Sequence, residues 1–249
     1  MELIYGKELN KAVVKGASAF CPGCMHSTAN KILGEVLTEN NWIEDTIMVM
    51  PIGCACNSIR YMDVDMVRGL HGRAGAVATG VKRIRKDKIV IAYQGDGDAA
   101  AIGGLETFYA ANRGEPFTVI MINNQIYGMT GGQMSPCTLV GQDTETGERI
   151  DMHAGYPVKC AEMIAQLPAV GFSGRFSLHT PGHILQAKKA IKDAIELQIN
   201  DGKYSFVEIL SACPVNWRIK PEDGPKTIES RVLPVFPLGI FKDCRKEVK

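Results

Sequence analysis

Residues 88–133 leave this chain few folds to choose from. Residues 88–94 form a short apolar run rich in Ile and Val, the pattern of a buried strand. Gly95-Asp96-Gly97-Asp98 interrupts the run, and glycine lets backbone approach a ligand closely. Residues 99–112 read as a helix with few breakers apart from Gly103 and Gly104. A second apolar run, 117–122, ends on Asn123-Asn124. Strand, glycine turn, helix and strand make a βαβ unit, whose ligands gather at the carboxyl ends of its strands. Both polar motifs fall at those ends.

An Asp and an Asn side by side there suit one kind of chemistry. Mg²⁺ on a diphosphate takes only one or two protein oxygens and keeps phosphate oxygens and water for the rest. Asp96 can supply the charge, Asn124 a neutral amide oxygen, and a turn carbonyl near Ile126 a third ligand. N–H groups at the following helix start would hold the phosphates. Taken singly, each motif is equally an ordinary βα turn. Together, 28 positions apart on consecutive strand ends, they point to a metal–diphosphate site.

The chain has 249 residues, 45% of them hydrophobic, enough for one large core, so a single domain over 1–249 is expected. A formal charge of +1 gives no reason to expect a nucleic acid or an anionic membrane as partner. No apolar run reaches transmembrane length, and residues 1–16 lack the apolar stretch of a signal peptide, so a cytoplasmic location is expected. Eight cysteines without an export signal argue for metal, cluster or redox chemistry rather than a disulfide scaffold.

Phe20-Cys21-Pro22-Gly23-Cys24-Met25-His26 presents two thiols from one tight loop. A cluster, a zinc ion that His26 could join, a thioredoxin-like pair and two plainly buried cysteines all fit that pattern. Residues 27–39 read as a helix and 46–50 as a strand, which ends at Pro51-Ile52-Gly53-Cys54-Ala55-Cys56. Leu70-His71-Gly72-Arg73-Ala74 opens a helix over 74–85, where a histidine can reach a phosphate or an oxyanion. Residues 136–156 are polar and glycine-rich and read as a long loop. Residues 160–167 and 181–200 read as helices. Residues 204–210 are the last strand, delivering Ser211-Ala212-Cys213-Pro214, and an extended tail is expected from about 217.

The spacing of GDG and NN resembles the diphosphate motif of thiamine enzymes. The longer run from Asn123 through Gln125, Ile126, Tyr127, Gly128, Met129 and Gly132 to Pro136 is similar to the β subunit of 2-oxoacid:ferredoxin oxidoreductases. The resemblance extends over residues 20–213. It implies an α/β fold of the thiamine-diphosphate-binding type, a mostly parallel sheet with helices on both faces. It implies thiamine diphosphate and Mg²⁺, the metal held by Asp96, Asn124 and the backbone at Ile126. Ile52, Gly53, Cys54, Ala55, His71, Gly95, Gly97, Asp98, Gly128 and Met129 would contact the cofactor, with His71 also catalytic. Cys21, Cys24, Cys54 and Cys213 would hold a four-iron four-sulfur cluster, Cys56 being the competitor for the third ligand. Cys137, Cys160 and Cys244 receive no ligand role, and His26, His153, His179 and His183 are left structural.

The implied reaction is oxidative decarboxylation of a 2-oxoacid to acyl-CoA, with electrons passed to ferredoxin. Members that take 2-oxoglutarate often carry a basic residue shortly after the IGC cysteine. Here Cys56, Asn57 and Ser58 stand there, with Arg60 further on, which favours a branched 2-oxoacid such as 2-oxoisovalerate over 2-oxoglutarate or pyruvate. The resemblance also implies a partner, an α subunit or α plus γ, that brings the pyrimidine-side glutamate and the coenzyme A site. An iron-free thiamine decarboxylase or synthase would need none of the CPGC cysteines. A dinucleotide-binding fold is disfavoured because no G-x-G-x-x-G follows the first strand.

Overall fold

Strands that are apolar on both faces take the centre of a parallel sheet, and they do so here. The computed structural model describes residues 10–14, 18–147 and 155–246. In chain order the elements are α1 (His26–Glu39), β1 (Thr46–Met50), a 3₁₀ turn (Cys54–Arg60), β2 (Asp65–Arg68), α2 (Ala74–Ile84) and β3 (Ile89–Gly95). A π-helical turn (Asp98–Ile102), α3 (Gly104–Asn112), β4 (Thr118–Asn123) and a small hairpin of β5 (Ile126–Tyr127) and β6 (Gln133–Met134) follow. The rest comprises α4 (Cys160–Ala165), β7 (Val170–Ser177), α5 (Pro181–Asp201), β8 (Tyr204–Leu210), α6 (Pro214–Trp217) and β9 (Gly239–Asp243).

The seven-stranded sheet runs β2-β1-β3-β4-β8-β7-β9. All pairings are parallel except that of β7 with β9. Every residue of β1, β4 and β8 is buried. β1, β3, β4 and β8 are consecutive neighbours, so the loops carrying Cys54, Asp96, Asn124 and Cys213 leave one edge of the sheet side by side.

α5 shows how the sequence fixes the scaffold. Thr180 caps its N-terminus by accepting from the His183 N–H at 3.3 Å, Pro181 follows at the first turn, and Gly202 ends it in a left-handed conformation at φ +60°. Its buried stripe includes Ala187, Ala190, Ile191, Ala194 and Ile195. Gln198, on the same face, donates to Val90 O at 3.0 Å and Thr118 Oγ1 at 2.9 Å and accepts from Val90 N at 2.7 Å. That one amide ties β3 to β4 at the end opposite the site.

Three expectations change. The 99–112 helix is split, because Gly103 N–H reaches back to Asp98 O at 2.8 Å and closes a wide turn before α3 begins. β7 was not expected: Gly171, Ser173, Gly174 and Arg175 interrupt its apolar pattern, yet it lies inside the sheet. Nor is the segment after 217 an extended tail. Ile228, Val232 and Phe236 are buried, and β9 adds to β7 as an antiparallel strand. Part of the 136–156 loop, with His153, lies outside the described residues. Among the described residues no helix is long and apolar enough to cross a membrane.

Candidate functional site

A cleft at the carboxyl edge is lined by residues from five separate loops, among them Gly53, Cys54, His71, Asp96, Asn124 and Gly128. On its floor three polar groups converge. The Asn124 carboxamide stands 2.8 Å from the Ile126 carbonyl oxygen and 3.1 Å from Asp96 Oδ1, close enough for its nitrogen to donate to both. An octahedral Mg²⁺ with bonds of about 2.05 Å sets neighbouring ligand oxygens about 2.9 Å apart. A cation there would turn the amide over to present its oxygen.

Asp96 is buried, and burial pushes its carboxyl up to about 7 against the pull of its hydrogen bonds. Its other oxygen accepts from Ser135 Oγ at 2.5 Å. A cation beside it would return the group to its ionised form. The loop that carries Asn124 is itself held from below. Asn123 donates to Glu208 Oε1 at 2.7 Å, and Gln125, at φ +57°, donates back to Asn123 Oδ1 at 2.8 Å. Trp217 Nε1 donates to Asn124 O at 3.1 Å.

On the wall, His71 Nδ1 and Asp98 Oδ1 are 2.7 Å apart. Gly72 N–H donates to the same oxygen at 2.5 Å, and Gln94 Nε2 to Oδ2 at 2.6 Å. A carboxylate at Nδ1 fixes the tautomer with its proton there and leaves Nε2 as the ring's other polar atom. Asp98, expected among the cofactor contacts, thus engages both oxygens in holding His71, Gly72 and Gln94. Gly97 is required by its neighbour: a Cβ there would lie 2.1 Å from the Tyr127 ring. Tyr127 in turn packs edge-on to His71 and donates to Gly97 O at 3.2 Å.

Two of the cysteines close on Gly128. A Cβ on Gly128 would lie 3.1 Å from Cys54 Sγ and 3.7 Å from Cys213 Sγ, so two sulfurs 159 positions apart close on one point. Burial pushes the Cys24 thiol up to about 12, and Cys213, Cys54 and Cys21 push it the same way. Cys54 also rises to about 12, through burial first and then Cys213, Cys21 and Cys56. Four sulfurs therefore lie in one another's field. Cys213 is raised by burial, while the backbone and side-chain N–H groups of Asn216 lower it. Cys54 lines the cleft and Cys56 does not.

Among the described residues no three His, Cys, Asp or Glu side chains gather closely enough for a single metal ion. Cys137 lies elsewhere, buried and hydrogen-bonded to Cys160, a contact that raises its thiol well above the usual range.

Sequence reasoning missed several groups here. His26, left structural, lines the cleft, stacks on Phe20 and shares a 2.9 Å hydrogen bond with Tyr93. Burial lowers it to about 3, so it is a neutral ring. Ser135 and Tyr127 fall inside the run that carried the resemblance. Asn216 and Trp217 had no sequence signal. His179 and His183 stack on each other at the start of α5.

The chain also resembles known proteins. The thiamine pyrophosphate enzyme C-terminal TPP binding domain matches residues 51–209. The ketoisovalerate oxidoreductase subunit VorA of Methanothermobacter thermautotrophicus is 44% identical over 94% of this chain and 51% of its own length. The chain therefore spans about half the length of that relative. The 2-oxoglutarate synthase subunit KorB of Methanocaldococcus jannaschii is 36% identical over 92% of this chain and 82% of its own. That of Archaeoglobus fulgidus is 33% identical over 82% and 73%. In fold, the chain is similar to the 2-oxoglutarate:ferredoxin oxidoreductase of Magnetococcus marinus, with a TM-score of 0.73 at 22% identity, covering 93% of this chain and 83% of the other.

Proposed function

The chain belongs to the thiamine-pyrophosphate-binding subunits of the 2-oxoacid oxidoreductases, and on that premise we propose that it is the β subunit of a 2-oxoacid:ferredoxin oxidoreductase. The reaction joins a 2-oxoacid and coenzyme A to give acyl-CoA and CO₂, with the released electron pair leaving singly to ferredoxin. We take residues 1–249 as a single domain of the diphosphate-binding type.

One observation supports the reading: Cys54 and Cys213 close on Gly128, in the loop whose Asn124 and Ile126 stand beside Asp96, and Cys21 and Cys24 lie within electrostatic reach of both sulfurs. The donor sets fit their groups. Oxygens from Asp96, Asn124 and Ile126 suit a hard cation such as Mg²⁺, and four thiols drawn from three loops suit a four-iron four-sulfur cluster. Bound thiamine diphosphate supplies an electron sink at the carbon that CO₂ leaves, and the cluster a one-electron acceptor beside it.

The chain's own residues bind and orient. Asp96, Asn124 and the Ile126 carbonyl hold the metal, and Gly95 and Gly97 leave room for the diphosphate. His71, fixed by Asp98, directs Nε2 toward the cofactor, where it can hold a proton or accept a hydrogen bond. Ile52, Gly53, Ala55, Gly128 and Met129 shape the cleft. We assign the pyrimidine-side glutamate and the coenzyme A site to a partner, α or α plus γ, without which the isolated chain is inactive.

The substrate we favour is 2-oxoisovalerate. Among the described residues the cleft lining contains no Lys or Arg to meet a distal carboxylate, and Arg60 is exposed at the end of its 3₁₀ turn. The higher identity to the ketoisovalerate subunit points the same way.

The test is anaerobic purification of the full chain, with iron analysis and calorimetric titration of thiamine diphosphate in Mg²⁺. Brown protein with about four irons per chain, together with cofactor binding, supports the reading. Cofactor binding by protein that stays colourless after anaerobic reconstitution would instead favour an iron-free decarboxylase. Once the partner is present, acyl-CoA yields from 2-oxoisovalerate, 2-oxoglutarate and pyruvate decide the substrate.

A further inference from the structure

Asn216 sits where the two halves of the site touch. It lies in α6, three residues after Cys213. Its Nδ2 is 3.3 Å from Cys213 Sγ and 3.1 Å from Gly128 O, so the two hydrogens of one amide reach a thiol and a cofactor-loop carbonyl. The loop is shaped around it. A Cβ on Gly132, at φ +104°, would meet Asn216 Oδ1 at 3.0 Å, and one on Gly128 would meet Nδ2 at 3.5 Å. A side chain at Gly132 would crowd the amide, while Gly128 stands in ordinary contact with it. The next residue, Trp217, ties the same short helix to Asn124 O.

Hydrogen bonds to cluster sulfurs stabilise the more negative, reduced state and so raise its potential. An amide shared between sulfur and loop does more. Its grip on Sγ depends on where Gly128 O stands, and Gly128 lines the cleft. We propose that Asn216 is a positioning residue that sets the potential of the cluster through Cys213 and links that potential to occupancy of the thiamine cleft through Gly128. This rests on the assignment of Cys213 as a cluster ligand. Linkage makes the effect reciprocal: if cofactor binding shifts the potential, reduction shifts cofactor affinity by the matching factor.

The experiment is a redox titration of the full chain, purified anaerobically, followed by electron paramagnetic resonance with and without Mg²⁺–thiamine diphosphate. Wild type is compared with Asn216→Leu, which is close in size but lacks the donor, and Asn216→Asp, which lacks it and adds charge. Iron is counted in each. The expected midpoints fall in the order wild type, Asn216→Leu, Asn216→Asp, the last most negative. Cofactor shifts the wild-type midpoint and leaves that of Asn216→Leu in place.

An Asn216→Leu protein with full iron and the wild-type midpoint overturns the tuning. One that shows the wild-type response to cofactor overturns the link. Loss of iron from both variants also overturns the proposal, since Asn216 would then be needed for assembly rather than for potential. Iron missing from wild type would instead remove the cluster reading beneath it.

Discussion

Asn123 and Glu208, 85 positions apart, are joined by a 2.7 Å hydrogen bond beneath the loop that carries Asn124. Glu208 is wholly buried, and so is Arg175, whose Nε lies 3.0 Å from the same Oε1. The Ala161 N–H donates to Oε2 at 3.2 Å. Arg175 also pairs with Glu162, donates to Pro237 O at 3.0 Å, and lies over the rings of Phe236 and Phe241. An ion pair in the middle of the sheet thus fixes the first Asn of the pair, and the backbone hands that position to the second.

Glu208→Ala leaves Arg175 charged and poorly compensated inside the sheet. Removing one partner of a buried pair costs about 3–5 kcal/mol, and that loss is expected in urea unfolding of the purified chain. Glu208→Gln keeps an acceptor for Asn123 and should lose less. Its affinity for Mg²⁺–thiamine diphosphate should stay nearer wild type than that of Glu208→Ala. Equal cofactor affinities in all three proteins would show that the Asn123 bond does not position the metal loop.

Asp96→Ala should abolish cofactor binding with the fold intact, because it removes the only formal negative charge among the proposed metal ligands. Asn124→Ala should weaken binding less, since water can replace a neutral oxygen. Calorimetry in Mg²⁺ measures both, with circular dichroism checking the fold. Tight binding by Asp96→Ala would end the metal assignment.

The same carboxyl gives the cofactor-free protein a pH dependence. Burial raises Asp96 in the folded state to about 7, above the ordinary carboxylate value of 3.8. Stability from this group is complete below the unfolded value and is lost as pH rises through about 7. At about 1.4 kcal/mol per tenfold step, the loss is on the order of 4 kcal/mol. Thermal unfolding without metal should therefore show stability falling from pH 5 to pH 8, and Asp96→Asn should flatten the slope. Mg²⁺ with thiamine diphosphate should stabilise more at pH 8 than at pH 5.

Much of this was legible in the sequence because it lives in local motifs. GDG and NN mark strand ends, and a parallel sheet brings strand ends together whatever the chain does between them. Cys54 and Cys213 follow strand ends in the same way, whereas Cys21 and Cys24 precede α1. β7 was not legible, because Arg175 reads as solvent-facing until Glu208, 33 positions later, neutralises it. The segment after 217 was misread because its buried residues, Ile228, Val232 and Phe236, sit among short turns without a single period. Asn216 carries no signal at all, since its role depends on two atoms that only the fold brings within reach.

The cysteine series separates an iron-linked oxidoreductase from a plain thiamine lyase. Cys21, Cys24, Cys54 and Cys213 share one field of mutual repulsion, while Cys137 is paired with Cys160. Serine at any of the first four should remove or badly damage the cluster, read as iron per chain and as the reduced-state resonance spectrum. Cys137→Ser and Cys244→Ser should retain both. Cys56 decides the third ligand. It neighbours Cys54 but lies outside the cleft lining, so Cys56→Ser should keep its iron where Cys54→Ser does not. The reverse result would move the ligand by two residues and leave the rest standing. Wild-type iron in all four variants would remove electron transfer from the reading, and the oxygens around Asp96 would then serve a decarboxylase.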